Sequence, residues 1–410
     1  MHVLLVADGR SPITRSWVMG LHALDYRVTL ISTYPCQPPE GVAEMVVLPI
    51  AFARLAGSQV NTLSTATEPS NGSPRLVSRF RDVFMWARYR LGPLTTAWYA
   101  RRYRAVLKTT QPDVVHALRI PFEGMLATYT PPEIPLVVSI WGNDITFHAE
   151  GSAAMRRATL RTLRRANGLH ADALRDLRLG KQWGFAPEGP TLCVPGGGGI
   201  DLGELHRQSA LAVGWLGEEI PADAPLIINP RGFRPGSVRN DVFFKSIPYV
   251  LERNKDVLFL CAGMAGQPEA LQWVETLQLA KHVRLLPFLS QGQLWNLFMR
   301  ARASVSISSH DGTPNSLLEA MACGCLPIAG DIESLREWIT PGVNGLLVEP
   351  SKPQALAEAV LLALESKDLR ESAAERNLQI IKERAEVSLV RAQVAVFYQR
   401  LVGRGTEPFS

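Results

Sequence analysis

The 410-residue sequence predicts an α/β protein made of two doubly wound domains. Short runs rich in Val, Ile and Leu alternate with amphipathic stretches of helical length, which is the pattern of parallel βαβ units. The alternation stops at the glycine-dense run 195–201 and then starts again. A chain of this length is also too long for one ordinary core. We therefore expect two domains that face each other across a cleft, with ligands at the carboxyl ends of the strands.

The first half of the chain predicts a parallel sheet whose strands are separated along the sequence by helices, some of them basic. The predicted strands lie at 3–7, 27–32, 44–49, 114–117, 136–140, 168–171 and 191–194, and the predicted helices at 16–24, 75–110 and 152–166. Residues 57–74 are rich in Ser, Thr, Asn and Gly and show no periodicity, which predicts a mobile polar loop.

The second half repeats the pattern after the glycine-dense run. The predicted strands lie at 226–229, 257–261, 283–286, 304–308, 326–329 and 345–348, and the predicted helices at 241–253, 268–279, 291–301, 314–323, 333–339, 353–365, 368–385 and 387–402. The run 195–201 leads into a polar stretch that contains Gly203, and not into a strongly periodic helix. It therefore predicts an interdomain linker and argues against a dinucleotide-binding fingerprint. The expected domains are residues 1–200 and 201–386.

Composition and charge limit the class of protein. Hydrophobic residues make up 46% of the chain and charged residues 20%, as in a folded globular protein. No apolar run reaches the roughly 18 residues that a membrane span needs, and the first strand lacks a basic leader, so we expect a cytoplasmic location. Five cysteines, an odd number, predict reduced thiols. Cys323 and Cys325 lack a second pair of ligands nearby, so no metal site is predicted.

The net charge of +5 is concentrated in residues 75–104. This stretch has a single acid, Asp82, and many aromatic side chains; its eight arginines are Arg75, Arg79, Arg81, Arg88, Arg90, Arg101, Arg102 and Arg104. A basic, aromatic helix suits an anionic membrane surface or a phosphorylated acceptor. An ordinary solvated helical face is the alternative. Nucleic acid is not expected as a partner, because no recognition motif accompanies the patch.

One carboxylate, Glu319, lies in an otherwise apolar helical run from Leu317 to Ala322. Burying an ionised carboxylate without compensation costs several kcal/mol, so a polar group of the protein or of a ligand should meet it. A core helix whose Glu is satisfied by the protein remains an open alternative.

The start of the same helix is a candidate anion site. Thr313 is expected to cap the helix and Pro314 to take its first position. The free amides of Asn315, Ser316 and Leu317 would then point towards Asp311 and Gly312. Glu319 lies roughly 7.5 Å further along the axis at 1.5 Å per residue. That offset suits a sugar nucleotide, with phosphates at the helix start and the ribose beside Glu319.

With these features the chain resembles the retaining GT-B glycosyltransferases of the large family four, along nearly its whole length and most strongly in the second half. The family signature is two glutamates separated by seven residues, with an Ala-Met-Ala-Cys-Gly type helix end. Here Asp311 takes the first place and Glu319 the second. The resemblance implies that Glu319 binds the ribose and Asp311 a donor-sugar hydroxyl. It also implies that the donor contacts the segment Gly312, Thr313, Pro314, Asn315 and Ser316.

A second motif supports the resemblance. The family places an Arg after the first strand of its second domain and a Lys a few residues later, and both grip the donor diphosphate. Here Arg231 keeps the first place and Arg239 takes that of the Lys, with Arg234 in the same loop. Guanidinium groups bind phosphate oxygens bidentately, so no metal ion or other cofactor is expected. Gly263 is a further donor-binding candidate.

The first half fits the family more loosely. Gly9 and Ser11 follow the first strand where relatives have a glycine pair, and Gly142 and Asp144 follow the strand 136–140. We expect these four residues at the acceptor side or the cleft, although Asp144 also suits a helix cap.

No catalytic histidine is predicted. Members of the family often carry a His near this point of the sequence, but here the residue is Trp141. His116 and His148 fit ordinary packed or surface positions.

The resemblance implies a metal-independent hexosyltransferase that moves a sugar from a UDP- or GDP-linked donor to a lipid-linked or saccharide acceptor, with retention. The terminal helix is expected to pack back onto the first domain, as in the family. Two other classes stay open, a sugar-nucleotide epimerase and a non-catalytic nucleotide-sugar-binding protein. A place at the cytoplasmic face of a membrane follows if residues 75–104 bind lipid.

Overall fold

The computed structural model describes residues 1–53, 81–211, 220–221, 224–234 and 236–403. The predicted loop at 57–74 and the start of the basic patch, 75–80, lie outside these residues. The chain divides into two compact units. Unit 1 comprises Met1–Gly198 and the chain from Val390 onward, and unit 2 comprises Gly199–Leu389.

In the described residues, unit 1 is built on a seven-stranded parallel sheet. Its strands are β1 (His2–Ala7), β2 (Arg27–Ser32), β3 (Glu44–Val47), β4 (Val114–Ala117), β5 (Leu136–Ile140), β6 (Gly168–Ala171) and β7 (Thr191–Cys193). Their order is β3-β2-β1-β4-β5-β6-β7. The order of the strands therefore reverses between β1 and β4, and this is the place where the sheet changes direction. The two strands pair in parallel although they are far apart in the sequence. Strands β4, β5 and β6 are buried along their whole length because helices cover both faces.

The helices of unit 1 pack on this sheet. They are α1 (Pro12–His22), α2 (Arg81–Thr110), α3 (Met125–Ala127), α4 (Ala153–Arg165) and α5 (Leu174–Gln182). Within the described parts of the chain, no helix combines the length and the apolar character needed to cross a membrane.

In its described residues, unit 2 repeats the plan with a six-stranded parallel sheet. Its strands are β8 (Leu226–Asn229), β9 (Leu258–Cys261), β10 (Val283–Leu285), β11 (Ala303–Ser306), β12 (Leu326–Gly330) and β13 (Leu346–Val348). Their order, β10-β9-β8-β11-β12-β13, puts the change of direction between β8 and β11. The helices are α6 (Leu202–Leu211), α7 (Asn240–Arg253), α8 (Pro268–Thr276), α9 (Gln291–Arg300), α10 (Asn315–Ala322), α11 (Glu333–Arg336), α12 (Pro353–Glu365) and α13 (Lys367–Arg384).

The prediction that the glycine-dense run does not lead directly into a helix is wrong, because α6 starts at Leu202. Asp201 ends the run and its Oδ1 accepts a hydrogen bond from the Glu204 amide at 2.8 Å. The side chain thus satisfies one of the free amides at the helix start, as an N-cap residue does. Leu205 is fully buried, so the helix also has an apolar anchor despite Gly203.

The last helix, α14 (Val387–Leu401), joins unit 1 through a buried chain of hydrogen bonds. The Tyr398 hydroxyl lies 2.6 Å from His116 Nδ1, and Ser139 Oγ lies 2.8 Å from both His116 Nε2 and His170 Nδ1. His170 Nε2 lies 3.2 Å from the Val194 carbonyl, which can only accept. Because the Val194 carbonyl can only accept, it fixes the direction of every hydrogen bond in the series. His170 donates to the carbonyl, Ser139 donates to His170, His116 donates to Ser139, and Tyr398 donates to His116. Burial lowers the pKa of both histidines, which favours the neutral rings that this chain requires.

Replacing Tyr398 with Phe should reveal how strongly this chain holds α14. The variant leaves His116 Nδ1 buried without a donor, so we expect the free energy of unfolding to fall by about 1–3 kcal/mol. Urea denaturation measures the change. Tyr249→Phe is the matched control, since it removes an exposed hydroxyl that contacts only Gln354 within the described residues. Equal stabilities of the two variants would contradict a structural role for the buried chain.

Candidate active site

In unit 2, an ion pair joins the carboxyl ends of β8 and β11, where the sheet changes direction. Arg231 Nη2 lies 2.6 Å from Asp311 Oδ2, and the Ser308 hydroxyl donates to the same oxygen at 2.9 Å. The Arg231 side chain is only 8% exposed and that of Asp311 19%. Arg231 Nε is buried and has no hydrogen-bond partner among the described residues. The structure therefore brings together two residues that the sequence predicted for the donor site, and it leaves the buried Nε of Arg231 without a described partner.

The loop that carries Arg231 is fastened to the start of α7. Asn229 Oδ1 accepts from the Arg231 amide at 3.2 Å, and Asn229 Nδ2 donates to Asn240 Oδ1 at 3.1 Å. Asn240 Nδ2 in turn donates to the Gly232 carbonyl at 2.9 Å. Gly232 has φ +64°, a conformation that favours glycine. These contacts hold the backbone of the loop in place without using the guanidinium of Arg231.

A second guanidinium, Arg234, shares this loop. The positive charge of Arg231 lowers the pKa of Arg234 to about 10, and the negative charge of Asp311 opposes this effect. Arg234 therefore remains charged at neutral pH. Two positive charges then face one carboxylate, which leaves the loop with a net positive charge and suits an anionic ligand.

Arg239, the residue expected at the place of the family's Lys, lies at the end of the loop. Its backbone amide donates to the Ile307 carbonyl at 2.7 Å, so it lies beside the end of β11. Its guanidinium forms a bidentate pair with Asp241, with distances of 2.8 and 2.9 Å. This hydrogen bonding lowers the pKa of the Asp241 carboxyl. The predicted contact between Arg239 and a diphosphate requires this partly exposed pair to open or to present its remaining donor.

The predicted cap of α10 is wrong in detail. Pro314 is the capping residue and the helix begins at Asn315, whereas the Thr313 hydroxyl accepts a hydrogen bond from the Trp338 indole at 2.9 Å. The Leu317 amide donates to the Pro314 carbonyl at 3.0 Å. The amides of Asn315 and Ser316 come before the first bonds within the helix, as at any helix start.

Glu319 lies in the second turn of α10 and is 8% exposed. Its Oε1 accepts a hydrogen bond from the Gln291 side chain at 3.0 Å. Burial raises the pKa of Glu319, and the Gln291 and Trp295 side chains oppose this rise. The polar partner that its apolar surroundings demand is thus supplied in part by α9. The indole N–H of Trp295 is buried without a partner in hydrogen-bond geometry among the described residues.

Gly263 follows β9 and has φ +69°. A Cβ atom at this position would lie 3.1 Å from the Phe288 ring. Its amide donates to the Pro287 carbonyl at 3.0 Å. Glycine is therefore required here by backbone conformation and packing, whether or not a donor lies nearby.

The residues predicted after the first strand of unit 1 have different surroundings. Gly9 donates its amide to Ser32 Oγ at 3.1 Å, and a Cβ atom there would lie 2.6 Å from Cys36 Sγ. The glycine is thus needed for close packing of the loop. Ser11 precedes α1 and lines a pocket of unit 1.

Gly142 and Asp144 are held inside unit 1. Asp144 is fully buried; its Oδ1 accepts from Arg119 Nη2 at 2.7 Å and its Oδ2 from the Ile120 amide at 3.0 Å. The Gly142 carbonyl accepts from Arg175 Nη2 at 2.9 Å. Asp144 therefore orients Arg119, which lines the same pocket as Ser11.

Sequence reasoning missed the charged residues of this pocket, Arg119 and Glu123. Arg119 comes two residues after β4, at the carboxyl end of a strand beside the point where the sheet changes direction. Its position directly after a buried strand could have predicted a place near a ligand, since ligands of doubly wound sheets bind at the carboxyl ends of the strands. Glu123 gave none, because its partner Thr33 is 90 residues away in the sequence.

Residues 222–379 match the family model "Glycosyl transferases group 1". The phosphatidyl-myo-inositol mannosyltransferase of Mycolicibacterium smegmatis is 24% identical over 395 residues, which cover 92% of this chain and 95% of the relative. Both the loop that carries Arg231, Arg234 and Arg239 and the helix α10 lie in the segment that the family model matches.

Solved structures share the fold along nearly the whole chain. Sucrose-phosphate synthase from Thermosynechococcus elongatus superimposes with a TM-score of 0.74 at 15% identity, covering 99% of this chain and 100% of that one. HepE from Anabaena, in complex with UDP, gives a TM-score of 0.68 at 16% identity and covers 96% and 98% of the two chains. The predicted GT-B fold, with two Rossmann-like domains, is confirmed.

The ion pair at the end of β8 and β11 can be tested by a double-mutant cycle. Asp311→Asn removes the negative charge opposite Arg231, so we expect a lower free energy of unfolding. The loss should be smaller when Arg231 is already Gln, with a coupling energy of roughly 1–2 kcal/mol. Urea denaturation of the four proteins measures it. Additive effects would show that the two side chains do not interact in solution.

Proposed function

We propose that this glycosyltransferase of the GT-B fold moves a hexose from a nucleotide diphosphate donor to an acceptor hydroxyl, with retention at the anomeric carbon. The observation that carries the proposal is the grouping of Arg231, Asp311 and the start of α10 at the carboxyl edge of one sheet, with Glu319 in the same short helix. Ligands of doubly wound sheets bind at this edge, where the strand order reverses.

The donor diphosphate is assigned to the arginine loop. Arg231 keeps an unpartnered Nε among the described residues, and Arg234 adds a second positive charge. The amides of Asn315 and Ser316 add the positive end of a helix. Groups fixed in this way stabilise the charge that develops on a departing nucleotide diphosphate. In this proposal the arginines supply that charge, and no metal ion or other cofactor takes part.

The ribose is assigned to Glu319 and a hydroxyl of the donor sugar to Asp311. A carboxylate accepts hydrogen bonds from two neighbouring hydroxyls, and one oxygen of Glu319 already accepts from Gln291. The raised pKa of Glu319 reflects a carboxylate short of polar partners, which a bound ribose would supply. Both UDP and GDP carry this ribose, so the proposal covers either donor. HepE binds UDP in its crystal structure, which supports the first.

The acceptor is proposed to be a lipid-linked saccharide or lipid head group at a membrane surface. Helix α2 exposes a mixed face of apolar and basic side chains, and Trp98 is 82% exposed. The exposed apolar and basic side chains of the helix include Trp86, Arg90, Leu91, Leu94, Trp98, Arg101, Arg102, Arg104 and Lys108. Aromatic and basic side chains together suit the interface of an anionic bilayer. A relative named for a phosphatidylinositol substrate supports a lipid acceptor. We propose that the enzyme works at the cytoplasmic face of the membrane.

Glu319→Gln tests the donor site. The variant keeps the size of the side chain but removes its charge, so we expect transfer to slow by about a hundredfold or more, as when a charge-assisted contact is lost at an active site. Mass spectrometry of acceptors incubated with UDP- and GDP-hexoses measures the rate. Glu358→Gln, an exposed residue of α12, is the control.

Three outcomes would contradict the proposed function. Unchanged transfer by Glu319→Gln would remove Glu319 from the donor site. An epimerised donor formed without acceptor would indicate an isomerase. Nucleotide binding without product over a broad panel of donors and acceptors would indicate a binding protein.

Trp98→Ser tests the membrane face. Because an exposed aromatic ring contributes much of the apolar contact with a bilayer, we expect the variant to lose most of its binding to vesicles that contain phosphatidylglycerol. Cosedimentation measures the bound fraction, and binding should weaken with added salt. Leu271→Ser, which removes a 52% exposed apolar side chain from α8, is the control. Equal binding by both variants would refute the assignment of this face.

A further inference from the structure

We infer that a pocket inside unit 1 binds an anionic group of the acceptor, a phosphate or a carboxylate. The inference rests on the proposed function, since it is a transferase that requires an acceptor. The pocket lies at the carboxyl ends of β1, β2, β4 and β5, on both sides of the point where the sheet changes direction. It therefore occupies, in unit 1, the position where doubly wound sheets bind ligands.

The pocket is large enough for a substituent of a sugar or a lipid head group. Its volume is about 240 Å³, room for about eight waters at roughly 30 Å³ each. Aromatic side chains form much of its wall, namely Tyr34, Tyr89, Phe122 and Trp141. Flat rings beside charged planar groups suit a sugar that carries a charge.

Arg88 places an uncompensated positive charge in this pocket. Its Nη2 donates to the Tyr34 hydroxyl at 2.8 Å and its Nη1 to the Ala51 carbonyl at 3.4 Å. Its guanidinium lies 4.6 Å from the centre of the Phe122 ring. Among the described residues, no carboxylate forms an ion pair with it. These neutral contacts position the charge but do not neutralise it.

Arg119 adds a buried donor that no described group of the protein uses. Asp144 holds its Nη2 at 2.7 Å and is itself fully buried, so the guanidinium is fixed in orientation. Arg119 Nε is buried and lacks a hydrogen-bond partner in the part of the chain that the structure describes. A buried unsatisfied N–H is costly, and an anion in the pocket would satisfy it.

Glu123 is a carboxyl group of the pocket that has no ion-pair partner among the described residues and would oppose an anion. Its side chain is 4% exposed and accepts a hydrogen bond from the Thr33 hydroxyl at 2.9 Å. Burial raises the pKa of Glu123 to about 7, while Arg119, Thr33 and Arg88 oppose the rise. The carboxyl can therefore take up a proton near neutral pH, and an arriving anion would favour that form.

The other titratable groups of the pocket carry little net charge. Asp8 is paired with Arg10, with two contacts of 3.0 Å. Burial lowers the pKa of His148 to about 4, so the ring is neutral at pH 7 and lies 2.8 Å from the Tyr89 hydroxyl. With Arg119 balanced by Asp144 and with Glu123 protonated, the charge of Arg88 makes the pocket positive.

Backbone strain at Phe122 also points to a functional site. Phe122 has φ +67° and ψ −53°, which a residue other than glycine rarely adopts. Gly92 of α2 makes room for its ring, since a Cβ atom there would lie 2.6 Å from it. The strained residue thus carries the ring that lies beneath Arg88. Backbone strain of this kind is typical of ligand sites.

Isothermal titration at pH 8, with UDP and GDP both saturating, tests the inference without any catalytic step. Glucose 6-phosphate and glucuronate present the two anions, and glucose is the neutral analogue. We expect both anionic sugars to bind at least about tenfold more tightly than glucose, the difference that a charge-assisted hydrogen bond makes. The stronger of the two identifies the anion. Equal affinity for glucose, or displacement of both anionic sugars by the nucleotides, would overturn the inference.

Arg88→Gln should weaken glucuronate binding about tenfold. Arg90→Gln is the matched control, because Arg90 lies on the same helix but stacks on Trp86, outside the pocket. Glu123→Gln should tighten binding at pH 8, where it removes a like charge, and change it little at pH 6, where Glu123 is already protonated. Glucuronate suits this comparison because its charge is constant between these pH values. Damage to the fold would not tighten binding, and equal effects of the two arginine variants would contradict the inference.

The two proposals fail in different ways. If a neutral acceptor is glycosylated and no anionic sugar binds, the proposed function stands and the anion site is wrong. If the anionic sugars bind as expected and no donor supports transfer, the anion site stands and the proposed function is wrong.

Discussion

All-parallel pairing is the constraint on which both sites depend. In a parallel sheet every strand ends at the same edge, so residues that follow different strands come together whatever their separation in the sequence. Arg231 follows β8 and Asp311 follows β11, 80 residues later, yet their side chains are 2.6 Å apart. In unit 1 the same geometry joins Tyr34 after β2 with Arg119 after β4. In each sheet the order of the strands reverses at this point, and the connecting helices on its two sides cover opposite faces of the sheet.

Both sites combine arginines with one buried carboxyl group, but the carboxyl groups differ. Glu319 is met by a neutral amide of α9 and lies on α10, the helix whose first amides are proposed to bind the donor. Glu123 lies near two guanidinium groups, which oppose the effect of burial on its pKa. In the proposed account Glu319 accepts hydroxyl groups as an anion, whereas Glu123 takes up a proton when an anion arrives. Burial raises the pKa of both, and the nearby charges set the different roles.

The sequence predicted the strands of both sheets closely, because parallel strands buried on both faces are continuous apolar runs. It also predicted that Arg231, Asp311 and Glu319 belong to one region, since each follows or forms a recognisable element. Contacts between distant side chains were beyond its reach. Thr313 has the sequence of a cap, but Trp338 occupies its hydroxyl, and Arg239 is paired with Asp241. His116 shows no sequence signal for the chain that connects it to Tyr398, 282 residues away. The pocket of unit 1 was missed for the same reason, since Arg88 and Arg119 meet only in the folded protein.

The anomeric configuration of the product decides whether the enzyme transfers the sugar with retention. A time course by nuclear magnetic resonance, with a donor whose sugar is α-linked to the nucleotide diphosphate, reports the bond formed in the first turnovers. The account predicts an α-linked product on the acceptor hydroxyl and a released nucleotide diphosphate in equal amount. A β-linked product, or release of free sugar alone in the presence of acceptor, would contradict it.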